Sequence, residues 1–314
     1  MKTSFALPSL FAGLCAACLS LDRAAAQAVK PAMPEEFAQV VATNATVRKL
    51  AGGLKFTEGP VWLPRAGGLL VFSDIPASEL KSWSTKDGVK SFRQPSGNAN
   101  GNALDRQGRL LTCEHSGRRL SRTEADGTVV ALAERFEGKK FNSPNDLVVD
   151  RQGVIWFTDP DYGLGAGERE YGGCWVFRLD PASQHLRAVL KDFDKPNGIA
   201  LSPDGQRLYV ADSGKPHHIR AFDVGAGGSL TNDRVFCTVT PGAPDGIRCD
   251  ADGRVWTSAG DGVQVFAPDG RLLGRILVPE TPANLCFGGV DGRLLFITAR
   301  TSLYMVPVLV RGAE

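Results

Sequence analysis

Six side-chain oxygens recur at one register of this sequence: Glu58, Asn100, Asn145, Asn197, Asp245 and Asn284. They open the segments FTEGPVWLPRAGGLLVFSD, ANGNALDRQGRLLTCEH, SPNDLVVDRQGVIWFTDP, KPNGIALSPDGQRLYVADS, APDGIRCDADGRVWTSAG and TPANLCFGGVDGRLLFITA. Two are carboxylates and four are carboxamides. An all-oxygen set suits a hard divalent cation, Ca²⁺ first, then Mg²⁺ or Mn²⁺, with Zn²⁺ the last alternative. Glu58 and Asp245 together neutralise one divalent ion, and Asn145 and Asn197 add neutral oxygens. Such an ion, held with open positions, polarises a carbonyl oxygen and lowers the pKa of bound water, which is hydrolytic chemistry without a covalent intermediate. A plainer alternative stands beside it: Asn, Asp, Gly and Pro are turn formers, and a repeated turn repeats its Asn. Glu58 argues against that alternative, because Glu is a poor turn residue in the same register.

The elements needed to bring these six together follow from their separations of 42, 45, 52, 48 and 39 residues. That is the length of a four-stranded propeller blade. Each copy reads as a β-hairpin, with apolar alternation on both sides of a Gly turn. The expected fold is all-β, a six-bladed β-propeller over residues 51–310 with a metal site on the central axis. Residues 27–50 form an N-terminal segment, within which Val40–Lys49 could add an outer strand to the last blade. Residues that follow the second strand of a hairpin lie at the same end as the ring. Asp74, Glu114, His115, Asp159, Tyr162 and Asp212 are therefore expected to rim the mouth. Asp159 and Asp212 are read as residues that orient the ligands. Asn100, Asn145, His115 and Tyr162 are read as substrate contacts. His185 reads as a surface residue, and His217 and His218 as non-ligands.

Composition supports a globular chain. Of 314 residues 43% are hydrophobic and 22% charged, while 36 glycines and 19 prolines supply many turns. A formal charge of +2 with no basic run argues against a nucleic-acid partner. Met1–Ala26 reads as a signal peptide, with Lys2, the apolar run Phe5–Leu21 and the small residues Ala24–Ala26, so a periplasmic or secreted protein without a membrane anchor is expected. Cys113, Cys174, Cys237, Cys249 and Cys286 remain beyond it. Their odd number leaves at least one free thiol, and sequence leaves open whether one disulfide forms. No G-x-S-x-G, H-E-x-x-H or Walker motif is present.

FTEGPVW, SPNDLVVDRQGVIWFTDPDYG, KPNGIALSPDG and PDGIRCDADGRVW, in this order, resemble the senescence marker protein 30/gluconolactonase/luciferin-regenerating-enzyme family. The resemblance runs from about Leu50 to Arg300, and ANGNALDRQGRLLTCEHSGRR is most similar to the bacterial gluconolactonases. It implies a six-bladed propeller with an axial divalent metal, commonly calcium. It implies Glu58, Asn197 and Asp245 as metal ligands, Asn145 at the metal and substrate, and Asp245 as the general base. Animal members carry Arg two residues before the asparagine matching Asn145, where this chain has Ser143, so substrate contacts are expected to differ. The expected activity is opening of a sugar lactone such as glucono-1,5-lactone, by a monomer or weak dimer with no partner beyond its small-molecule substrate. The alternatives are a phosphotriesterase or non-sugar lactonase on the same metal site, and a non-enzymatic ligand-binding propeller.

Overall fold

Asp-x-x-Gly segments close several of the hairpins. In the turn Asp150–Gly153, Asp150 Oδ1 accepts the backbone N–H groups of Gln152 and Val154 at 2.9 Å, and Gly153 takes φ +85°, where a side chain would be strained. Asp105 and Asp250 close the corresponding turns of two other blades in the same way. The computed structural model describes residues 28–64 and 67–313. The expected signal peptide lies outside the described residues.

The hairpins pair into six antiparallel blade sheets, and Arg135–Phe136 with Lys139–Lys140 makes a separate two-stranded ribbon. Blade 1 contains Thr57–Leu63, Leu69–Asp74, Glu79–Ser84 and Gly88–Arg93. Blade 2 contains Ala99–Leu104, Leu110–Glu114, Arg119–Thr123 and Val129–Ala133. Blade 3 runs from Leu147–Val149 through Ile155–Asp159 and Cys174–Asp180 to His185–Phe193. Blade 4 comprises Pro196–Leu201, Arg207–Asp212, His218–Val224 and Leu230–Thr238. Blade 5 starts at Ile247–Cys249 and continues with Val255–Ala259, Gly262–Phe266 and Leu272–Leu277. Blade 6 supplies Pro282–Gly288, Leu294–Ala299 and Ser302–Pro307. The first strand of each blade is innermost, and these six strands touch in order, with blade 6 returning to blade 1. The chain is thus an all-β, six-bladed propeller.

The N-terminal segment straps the two last blades. Val29–Pro31 pairs with the outer strand of blade 5, with Val29 opposite Ile276. A single helical turn, Pro34–Ala38, sets Phe37 against Gly274, whose missing Cβ would otherwise lie 2.5 Å from the ring. Arg48–Ala51 then becomes the fourth strand of blade 6, with Arg48 opposite Met305 and Lys49 opposite Tyr304. The strand therefore falls later than Val40–Lys49. Val40 and Val41 instead fill the apolar layer with Phe37, Ile276 and Val306.

Burial lies between blades as much as within them. Leu111, Cys113, Phe157 and Phe177 fill the space between blades 2 and 3, while Trp156, Val176, Ile199, Val210 and Phe222 fill that between blades 3 and 4. Leu70, Phe72, Phe296 and Leu303 join blades 1 and 6. Strands buried on both faces by neighbouring blades explain their near-continuous apolar runs. The five cysteines among the described residues all sit in strands, buried and free, so no disulfide forms among them.

Candidate functional site

Glu58, Asn100, Asn197 and Asn284 lie within the first three residues of their innermost strands, and Asn145 and Asp245 lie two residues ahead of theirs. All six therefore occupy one end of the propeller beside the axis. Close backbone approach fixes them there. Gly198 N–H donates to the Asp245 carbonyl at 3.0 Å, and Gly101 N–H to the Asn145 carbonyl at 2.7 Å. A Cβ on Gly198 would stand 2.2 Å from that Asp245 oxygen, so glycine is the residue that fits after Asn197. Buried hydroxyls lock two more carbonyls: Ser73 Oγ donates to Asn100 O at 2.6 Å and Thr158 Oγ1 to Asn197 O at 2.7 Å.

The ring is not uniform. Asn100 Oδ1, Asn197 Oδ1 and Asp245 Oδ1 are buried without a hydrogen-bond partner. Three such oxygens in one place carry a desolvation cost of about 1–3 kcal/mol each. A hard cation would satisfy Asn197 and Asp245, and a hydroxyl of a bound substrate would satisfy Asn100, so the donor set fits a cation. Asn284 differs, because its Oδ1 accepts the Leu285 N–H at 2.8 Å. Its carbonyl oxygen is committed to backbone, and its side chain instead acts on Glu58. Glu58 Oε2 accepts the Gly59 N–H at 2.8 Å.

Burial pushes the Glu58 carboxyl up to about 7, opposed by the Gly59 N–H and reinforced by the Asp146 charge. Burial, then Glu58 and Asp146, drives Asp245 well above the usual carboxylate range. Both groups would be relieved by positive charge between them. Among the described residues no three His, Cys, Asp or Glu side chains cluster as a ligand set, so a cation held here would draw on carboxamides as well as carboxylates.

Acids at the ends of the second strands do not form a solvated rim. Asp74, Glu114, Asp159 and Asp212 are all buried. Asp212 accepts the N–H groups of Asp194, Lys195 and Gly214 at 2.8–3.0 Å, and Asp74 accepts those of Lys55 and Phe56 at 3.0–3.2 Å. Asp159 Oδ2 takes the Asn142 N–H at 2.8 Å, and burial drives its carboxyl well above the usual range. Each of the three holds the loop that runs into a ring residue two to three positions later: Glu58, Asn145 or Asn197. Glu114 departs from this pattern. Arg93 of blade 1 and Arg119 of blade 2 approach it at 3.3 and 2.7 Å, and Ser121 Oγ donates to it, so it ties two blades together instead of taking loop N–H groups.

His115 is buried, with Nε2 3.2 Å from Asn100 Nδ2, and burial lowers its pKa to about 4. It is a neutral ring that orients Asn100. Ser143 Oγ donates to Pro160 O and accepts the Gly163 N–H at 3.0 Å, so this residue pins the 160–163 loop. Tyr162, 48% exposed, stands on that loop beside Asn197, Ser213 and Asp245. Asp161 anchors the loop through ion pairs to Arg169 and Lys195. His185 is exposed and His218 half-buried at strand starts, and neither contacts the ring. Two surface cavities of about 530 and 280 Å³ lie among the hairpin turns at the other end of the strands and contain none of the ring residues.

Sequence reasoning missed Asp146 and Arg248. Asp146 Oδ2 accepts from Arg248 Nη1 at 3.0 Å, and both act electrostatically on Glu58. Their signal is visible in the aligned repeats. Gly59, Gly101, Gly198 and Gly246 follow their ring residues in four blades, where blade 3 has Asp146.

Fold and site together define a class: a six-bladed propeller with an oxygen-lined site at one end of its axis. The chain belongs to the SMP-30/gluconolactonase/LRE-like family, whose model matches residues 56–301. It is 32% identical over 297 residues to the gluconolactonase of Zymomonas mobilis, spanning 85% of this chain and 82% of that one. A solved gluconolactonase from Xanthomonas campestris is 38% identical with a TM-score of 0.83, covering 89% of this chain and 94% of its own. A calcium-binding regucalcin from Agrobacterium tumefaciens, 24% identical, shares the fold with a TM-score of 0.72 over 85% of this chain and 95% of its own.

Proposed function

We propose that this protein is a divalent-cation-dependent lactonase that opens a sugar lactone of the glucono-1,5-lactone type. The observation that carries the reading is the trio of unpartnered buried oxygens on Asn100, Asn197 and Asp245, in a chain similar to gluconolactonases. Glu58, Asn145, Asn197 and Asp245 would hold the ion, most suitably Ca²⁺. When bound, it would polarise the ester carbonyl and acidify a water molecule.

The chain's own groups supply the rest. Asp245, partly open to the mouth and set high by burial, accepts a proton from the attacking water. The new bond forms between water oxygen and carbonyl carbon, the bond from that carbon to the ring oxygen breaks, and the proton passes to that departing oxygen, which becomes a hydroxyl. The product is the open hydroxy acid. Asn100, oriented by neutral His115, and Tyr162 on its anchored loop meet the sugar hydroxyls. Ser143 shapes the same wall by fixing that loop. Lys2, the apolar run Phe5–Leu21 and the small residues Ala24–Ala26 support export to the periplasm or medium, which N-terminal sequencing of the mature protein would check.

The test is turnover of glucono-1,5-lactone before and after chelation, with Ca²⁺, Mg²⁺, Mn²⁺ and Zn²⁺ added back. Glu58→Ala and Asp245→Ala should each lose activity and metal affinity while keeping the fold. Full activity of the double variant after chelation would overturn the mechanism. Turnover of phosphotriesters alone, or metal binding without any turnover, would replace the lactonase reading.

A further inference from the structure

Two positions break the sixfold register of the ring, and they meet. One residue beyond the ring position, four blades have glycine and blade 6 has Leu285, but blade 3 has Asp146. Three residues beyond it stand Val61, Ala103, Val148, Ala200 and Phe287, but blade 5 has Arg248. These are the two charged side chains at these twelve equivalent positions, and they carry opposite signs. Blade 4 separates their blades, yet Arg248 Nη1 reaches Asp146 Oδ2 at 3.0 Å.

The pair is deep. Because the innermost strands run inward from the mouth, Arg248 lies further down the channel than Asp245. Asp146 has no solvent exposure, and its other oxygen accepts the Leu147 N–H at 2.9 Å. Arg248 Nη1 also donates to Ile247 O at 2.7 Å. Both Asp146 oxygens are thus engaged, which removes it from the ligand set while leaving its charge in the site. It raises Glu58 and Asp245, and Arg248 lowers Glu58. Asp146 and Glu58 act on Arg248, and the same two act on Asp245, so three carboxylates share this space with one guanidinium. With Asp146 matched by Arg248, the charge left to meet a cation is that of Glu58 and Asp245, −2 once both ionise around it.

We propose that the Asp146–Arg248 pair is a positioning and selectivity device beneath the ring, holding the site's charge at the value that suits a divalent cation and bracing the innermost strands of blades 3 and 5 across the channel. The inference rests on the cation-holding reading of the ring. Removing Arg248 alone would leave three negative charges in a low-dielectric space, which favours a trivalent ion. Removing Asp146 alone would leave an unmatched guanidinium that repels any cation. Removing both restores the balance without the brace.

The experiment measures Ca²⁺ affinity by calorimetry and Tb³⁺ affinity by luminescence on the full-length protein and on Arg248→Met, Asp146→Asn and the double variant. Arg248→Met should raise the Tb³⁺-over-Ca²⁺ preference by about tenfold or more. Asp146→Asn should weaken Ca²⁺ binding by a similar factor. In the double variant the preference should return to near that of the parent protein. Unfolding of Arg248→Met leaves the test intact, since the double variant buries no unmatched charge and Asp146→Asn is read independently. An unchanged preference in Arg248→Met, or a double variant that does not return toward the parent, overturns the inference alone. A parent protein that binds neither ion overturns the cation reading of the ring, and this inference with it.

Discussion

Glu280 clasps the N-terminal strand onto the last blade, and its replacement by Gln would measure what that closure contributes. Its carboxylate accepts from Ser302 Oγ, from Tyr304 Oη at 2.8 Å, and from Thr301 N and Oγ1 at 3.0 Å, with Lys49 Nζ at 3.2 Å. Lys49 belongs to the strand that completes blade 6, so one side chain joins the propeller's two ends. Burial pushes the carboxyl up, but the hydrogen bonds from Ser302, Tyr304 and Thr301 outweigh it and bring Glu280 down to about 2. Relative to an ordinary value of 4.5 this corresponds to at most about 3 kcal/mol. With 23% of the side chain still in water, about 2 kcal/mol is expected. A folded pKa below the unfolded one gives stability that is complete above 4.5 and fades as pH falls through 2. Glu280→Gln should therefore lower the melting temperature by about 5 °C at pH 7. The difference between the two proteins should shrink to under about half by pH 3. Thermal unfolding followed by tryptophan fluorescence at both pH values reads it directly. A difference that is absent at pH 7, or that does not change with pH, would refute the clasp.

Two further perturbations probe the ring's support. Gly198→Ala forces a Cβ against the Asp245 carbonyl and should cost at least about 2 kcal/mol, with weakened Ca²⁺ binding; wild-type melting and affinity would exclude the close-approach argument. Asp212→Ala strands three N–H groups before and after Asn197, so about 2–3 kcal/mol should be lost in denaturant titration, together with a fall in kcat for lactone; a neutral result would mean solvent replaces the carboxylate.

Much of the fold was legible because a propeller is periodic. Turn glycines mark each hairpin, Asp-x-x-Gly closes three of them, and the interval between hairpins matches one blade. Register then carried Glu58, Asn100, Asn145, Asn197, Asp245 and Asn284 to one end of the axis. What register does not carry is the direction of each oxygen. Asn284 occupies the same place as Asn197, yet Leu285 claims its Oδ1 while that of Asn197 stays free. Glu114 holds the position of Asp159 and Asp212, but two arginines from adjacent blades draw it out of their pattern. The strand that completes blade 6 is similarly ambiguous from sequence, since Val40 and Val41 are as apolar as a strand and serve the inter-blade layer instead.

Sequence by itself determined the all-β class, the number of blades and the six oxygen-bearing positions, because these depend on local turn chemistry and a regular interval. Tertiary structure decided which of those oxygens are free, how the second-strand acids hold the approaching loops, and how the N-terminus straps blades 5 and 6. It also decided that Asp146 and Arg248, more than a hundred residues apart, meet under the ring. Hydrogen bonding is the reason for the division. Periodicity places a side chain at a site, but the donors that reach it come from neighbouring blades and loops whose approach only the closed propeller sets.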